Sequence, residues 1–121
     1  MSIHKFQLGG YKVRVGGPFS ALKGDPQVQA FGVIFCEGED DVSAYRVTAY
    51  FLIDGSPAPT PALSSDGHDA TLWLPRDLMP NWVDLLRNEK PVYGYIDTNR
   101  PASTYLTTDQ MFLEPIGEGE A

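Results

Sequence analysis

The block from Asp69 to Asp97 constrains the fold more than any other stretch of the chain. Ala70-Thr71-Leu72-Trp73-Leu74 is a short β-rich run, and Pro75 stops it. Leu78, Met79, Trp82, Val83, Leu85 and Leu86 then recur at helical spacing until Pro91. Val92-Tyr93-Gly94-Tyr95-Ile96 resumes a strand. A helix from about Leu78 to Asn88 would be ~15 Å long at 1.5 Å per residue. Such a helix does not persist alone, so the block predicts one short helix held on a sheet by Leu78, Trp82, Leu85 and Leu86. Its start is expected near Asp77, whose carboxylate suits a helix N-terminus. Pro80 is tolerated because it falls in the first turn.

The rest of the chain supplies the strands. Val28–Cys36 and Val42–Ile53 are the two strongest, both rich in β-branched and aromatic residues. In the second, Tyr45, Val47, Ala49, Phe51 and Ile53 alternate with Arg46, Thr48 and Tyr50. One core face and one wetter face is the antiparallel signature. Glu37-Gly38-Glu39-Asp40-Asp41 between them reads as a hairpin loop. Lys5–Leu8 and Tyr11–Val15 are short alternating runs around Gly9-Gly10, either a hairpin or one strand bent at the glycines. Asp54–Asp69 holds Pro57, Pro59 and Pro61 and reads as an exposed loop. Pro91–Asp97 and Tyr105–Leu113 are the last strands, and the tail from Glu114 should fray.

These elements predict an α+β, mainly β chain. The expected form is a small curved antiparallel sheet or partly open barrel, OB-like or SH3-like, with one short helix between the third and fourth main strands. From Val28 onward the order strand–strand–strand–helix–strand–strand resembles the OB-fold, whose helix lies between its third and fourth strands. The resemblance is one of architecture and implies no function. At 121 residues the chain is expected to be a single domain, residues 1–121, with residues 114–121 as a frayed acidic tail.

Charge narrows the function classes. The net charge is −7, which argues against a nucleic-acid binder, since phosphates must be neutralised by Lys and Arg. The charge is uneven: residues 1–24 carry Lys5, Lys12, Arg14 and Lys23 and no acid, whereas the remainder carries five basic and sixteen acidic residues. Such asymmetry marks either a partner site or charges that compensate internally, and internal compensation is the expectation here. No apolar stretch follows Lys5, so no secretory signal is expected, and the longest apolar runs are too short for a bilayer. Cytoplasmic location is the expectation. The single Cys36 lies in a hydrophobic run, where a buried inert thiol is expected.

Candidate sites are few. Asp66-Gly67-His68-Asp69 is the only cluster resembling a metal or acid–base site, but it needs further ligands, and His4 is the only other histidine. A polar turn is the better reading. Glu37, Glu39, Asp40 and Asp41 do not match an EF-hand loop. No nucleophile motif or phosphate-binding glycine motif is present. Trp73 and Trp82 are expected to pack the helix on the sheet. Tyr93 and Tyr95 share one strand face, and Tyr105 would sit across from them. With Arg100 in the adjoining loop, these tyrosines form the expected partner-binding stripe.

The sequence therefore points to a non-catalytic protein-interaction module with no cofactor and no metal. A protein partner is expected, with homo-oligomer formation open, and neither nucleic acid nor membrane. The alternatives are an acidic nucleic-acid mimic that occupies a basic groove, and a small-molecule binding protein or unrecognised enzyme.

Overall fold

The computed structural model describes residues 3–39, 45–89 and 91–108, apart from the side chains of Ile3 and Ala102. The fold is mainly β with one short α-helix. Seven strands run in chain order: β1 (Ile3–Ser20), β2 (Gln29–Gly38), β3 (Arg46–Leu52), β4 (Ala62–Leu63), β5 (Asp69–Pro75), β6 (Tyr93–Asp97) and β7 (Tyr105–Thr107). The helix α1 (Met79–Asn88) lies between β5 and β6 and follows a 3₁₀ turn at Arg76–Leu78. The strands form one sheet in the order β4-β5-β3-β2-β1-β6-β7. Among the described residues no ladder joins β4 to β7, so the sheet is not closed.

The sheet is mixed, which corrects the antiparallel expectation. β3 and β5 run parallel, with Arg46 opposite Asp69 and Leu52 opposite Pro75. Every other ladder is antiparallel. The cause lies in residues 53–68, which are not merely an exposed loop. A parallel return needs a connection of about a dozen residues or more. This segment crosses past the end of β5, forms β4 on its far side, and turns back through Ser64–Asp69 into β5. The Ser56 hydroxyl accepts from the Gln29 N–H at 3.1 Å and fastens the start of the crossover to β2.

β1 is one strand of 18 residues rather than a hairpin. It continues through Gly16-Gly17-Pro18, with a register shift between Val15 and Phe19. Its register shifts between Leu8 and Gly10, and there it exchanges neighbours. Ile3–Gln7 pair with β6, and Leu8–Ser20 pair with β2.

The main core lies on one face of the sheet, beneath α1. Ile34 and Cys36 of β2, Val47, Ala49 and Phe51 of β3, and Ala70 and Leu72 of β5 all point there. Met79 and Leu86 are the buried helix residues, and Trp82 meets Phe51 edge-on at 5.8 Å between ring centres. Met79 packs directly over Gly32 of β2, where a Cβ would stand 2.6 Å from the Met79 sulfur and displace the end of its side chain. The helix starts two residues later than Asp77. Its cap is Leu78, with no side-chain hydrogen bond, and Asp77 lies in the 3₁₀ turn. Leu78 is therefore exposed, and Met79 takes the core position expected for it.

A second, smaller core covers part of the opposite face. Ala21, Val28, Ala30 and Leu52 are buried there, with Tyr50 and Trp73 packed against them. Trp73 does not hold the helix, because it alternates with Leu72 and so faces the other way. Its indole N–H donates to the Ala21 carbonyl at 2.8 Å and fixes the turn after β1. The expected strand starting at Val42, the expected strand end at Leu113 and the tail from Glu114 fall partly or wholly outside the described residues.

Candidate functional site

Of the four residues expected to bind a partner, two are brought into contact. Tyr95 and Tyr105 lie directly opposite in the β6–β7 ladder. Their rings stack with centres 4.6 Å apart and 9° between planes. Both are half-buried. Tyr93 is buried, at 7% exposure, and serves as core. Arg100 is exposed in the following turn, its backbone N–H donating to the Asp97 carbonyl.

The Asp66–Asp69 cluster is a turn whose acids are already engaged. The Asp66 carboxylate accepts from the Ser64 hydroxyl at 2.6 Å and from the His68 N–H at 3.0 Å. Those bonds, the hydroxyl first, hold its carboxyl below the usual carboxylate range. Asp69 pairs across the parallel ladder with Arg46 at 3.4 Å. No local pattern around His68 announces what surrounds it in the fold. Its ring centre lies 4.4 Å from that of Tyr45 and 5.1 Å from that of His4. Phe6 stacks on the other side of Tyr45 at 5.1 Å. Burial lowers the His4 pKa, and the neighbouring His68 lowers it further, partly offset by Asp66. The four rings form a packed lid over the start of β1. Among the described residues no group of three or more His, Cys, Asp or Glu is placed to hold a metal ion. Cys36 is buried, and burial pushes its thiol up to about 12, so it is no nucleophile at neutral pH.

The least satisfied surface is on β1 beyond its change of partner. From Gly10 to Val15 it keeps six consecutive pairs with β2. On its other side β6 has ended, and no strand among the described residues pairs there. In such an edge, alternate N–H and C=O groups point outward. Tyr11, Val13 and Val15 lie on the face that carries α1, and they are 39%, 40% and 64% exposed. These three and Leu78 are the large apolar residues that remain exposed among those described. An open groove of about 720 Å³ lies beside Val15, between it and Phe31 on the sheet and Met79, Pro80 and Val83 on α1, and charged residues including Asp84 and Arg87 also line it.

The opposite face of the same six residues is cationic. Lys12 stands opposite Phe35, and Arg14 opposite Val33. Both are exposed, and neither forms an ion pair among the described residues. They border an open cleft of about 570 Å³ whose other walls include Phe35, Glu37, Arg46 and Thr48.

Sequence reasoning named the alternation of Tyr11–Val15 but not its exposure. The only available signal was the coincidence of that alternation with the acid-free segment. No helix of the described residues is long and apolar enough to cross a membrane. No family model matches the chain, and neither a curated protein nor a solved structure matches it.

Proposed function

We propose that this chain is a non-catalytic protein-interaction module that takes up an extended partner segment along the open edge of β1. One observation carries the reading. The exposed apolar side chains Tyr11, Val13 and Val15 line the stretch of β1 that has no neighbour on its β6 side among the described residues. An edge of this kind offers backbone hydrogen bonds for affinity and alternate side chains for specificity, the physics of β-strand addition. Natural edges are usually blunted by charge, bulges or proline. Here the register shifts at Gly9 and between Val15 and Phe19 bound the edge on either side, and the six residues Gly10–Val15 between them continue an ordinary ladder.

The Tyr95–Tyr105 stack remains a second surface of the same module, at the far edge of the sheet. A small anionic ligand in the cleft beside Lys12, Arg14 and Arg46 is a separate reading, favoured by its volume and cationic rim. An acidic nucleic-acid mimic fits less well, because Lys12 and Arg14 would repel the basic groove it must enter. The OB-like strand order adds nothing to this reading.

A displayed library of extended peptides, selected on the purified protein, tests the proposal. The selected peptides should lose about tenfold or more in affinity on Val13→Asp and little on Tyr95→Ala, as expected when a central contact is removed. Loss confined to Tyr95→Ala would move the site to the tyrosine stack.

A further inference from the structure

Resting on that edge reading, we infer that the partner segment alternates apolar and acidic residues. Its carboxylates would sit beside Lys12 and Arg14, and its apolar side chains would extend the Tyr11–Val13–Val15 stripe over the groove beside α1. The two faces of the edge make opposite demands on whatever is added. Residues directly opposite in a ladder share a face, with Cβ atoms ~4.5–5.5 Å apart. A residue paired with Val13 therefore enters the side of the sheet that carries α1, where Val15 borders Met79 and Val83. A residue paired with Lys12 or Arg14 enters the cationic side, where neither charge forms an ion pair among the described residues, although Glu37 and Asp69 line the same cleft.

The same geometry disfavours a second copy of this chain. A twofold that pairs five of the six residues Gly10–Val15 with a second copy is centred on Lys12 or Val13. The first puts Lys12 opposite Lys12, and the second Lys12 opposite Arg14. Each places like charges directly across a ladder, which is destabilising. An acidic strand removes the repulsion and supplies the missing counter-charges.

The test uses ten-residue acetylated peptides that alternate valine with glutamate, glutamine or lysine, titrated into the full chain and followed by backbone NMR shifts. The glutamate peptide should bind about tenfold tighter than the glutamine peptide, because it forms two exposed charge pairs. Its advantage should shrink at high salt. The double variant Lys12→Glu/Arg14→Glu should prefer the lysine peptide, and the milder Lys12→Gln/Arg14→Gln should show no preference. Equal affinity of the glutamate and glutamine peptides, with shifts at residues 10–15, would overturn the acidic partner and leave the edge site standing. Absence of shifts at residues 10–15 with every peptide would overturn the edge site itself. Concentration-dependent dimerisation in sedimentation, abolished by Val13→Asp, would assign the edge to a second copy and overturn the proposal.

Discussion

The two halves of β1 carry the same kind of sequence and meet opposite fates. Up to Leu8 the strand lies against β6, and Phe6 is 3% exposed, with Tyr45 stacked on its ring. Gly94 of β6 lies under that ring so closely that a Cβ there would stand 2.5 Å from it. From Gly10 onward the strand lies against β2, and Tyr11, Val13 and Val15 face solvent beside α1. Alternation places apolar residues on one face of a strand, but only a neighbour can bury them. Each half of β1 has one partner strand, but the Tyr45 ring covers the inner half, whereas Tyr11, Val13 and Val15 of the outer half stay exposed. An exposed apolar stripe on an unpaired edge is the form that a binding surface takes in a small domain.

Substitutions on the two halves should therefore differ sharply. Phe6→Ala should cost ~3–5 kcal/mol of unfolding free energy in a denaturant titration, as large-to-small core changes do. A loss below ~1 kcal/mol would mean that the inner half is no more buried than the outer.

The inner half should also confer a pH dependence that the outer half lacks. Folding lowers the His4 pKa below its ordinary value of 6.5, through burial first and then through His68. Below pH 6.5 the unfolded chain then binds more protons than the folded one, so stability falls as pH drops towards the lowered value. Asp66 acts in a separate window, because its carboxyl is held below 3.8 and its stabilisation persists until pH falls beneath that value. The melting temperature should thus decline between pH 7.5 and 5.5, and His4→Gln should flatten the decline. An unchanged slope in His4→Gln would place the titrating group elsewhere.

The smallest effect is expected on the outer half. Val13→Thr should change unfolding free energy by no more than ~0.5 kcal/mol, because the side chain is exposed and threonine keeps the β-branched shape. A loss of ~2 kcal/mol in the same titration would show that something already covers the stripe.

What could be read from the residues divides along the same line. β2, β3, β5, α1 and β6 were legible because each has a local period, and proline marks both ends of the helical block. The parallel pairing of β3 with β5 was not, because alternation reports a strand's faces and says nothing of the direction of its neighbour. Trp73 was assigned to the wrong face because its place depends on which side the helix covers. Within the candidate sites, the facing of Tyr95 and Tyr105 followed from two strands joined by a short loop. The meeting of His4 with His68, and the opening beside Tyr11–Val15, depend on where β1 exchanges partners, which no local pattern encodes.

Residue-resolved amide hydrogen exchange across β1 of the isolated protein tests the central claim most directly, since exchange reports whether each N–H has a partner. The account predicts alternation from Gly10 to Val15, with the N–H groups that face β2 protected and those that face away exchanging rapidly. Uniform slow exchange at all six residues would contradict it, because the edge would then be occupied and unavailable to a partner strand.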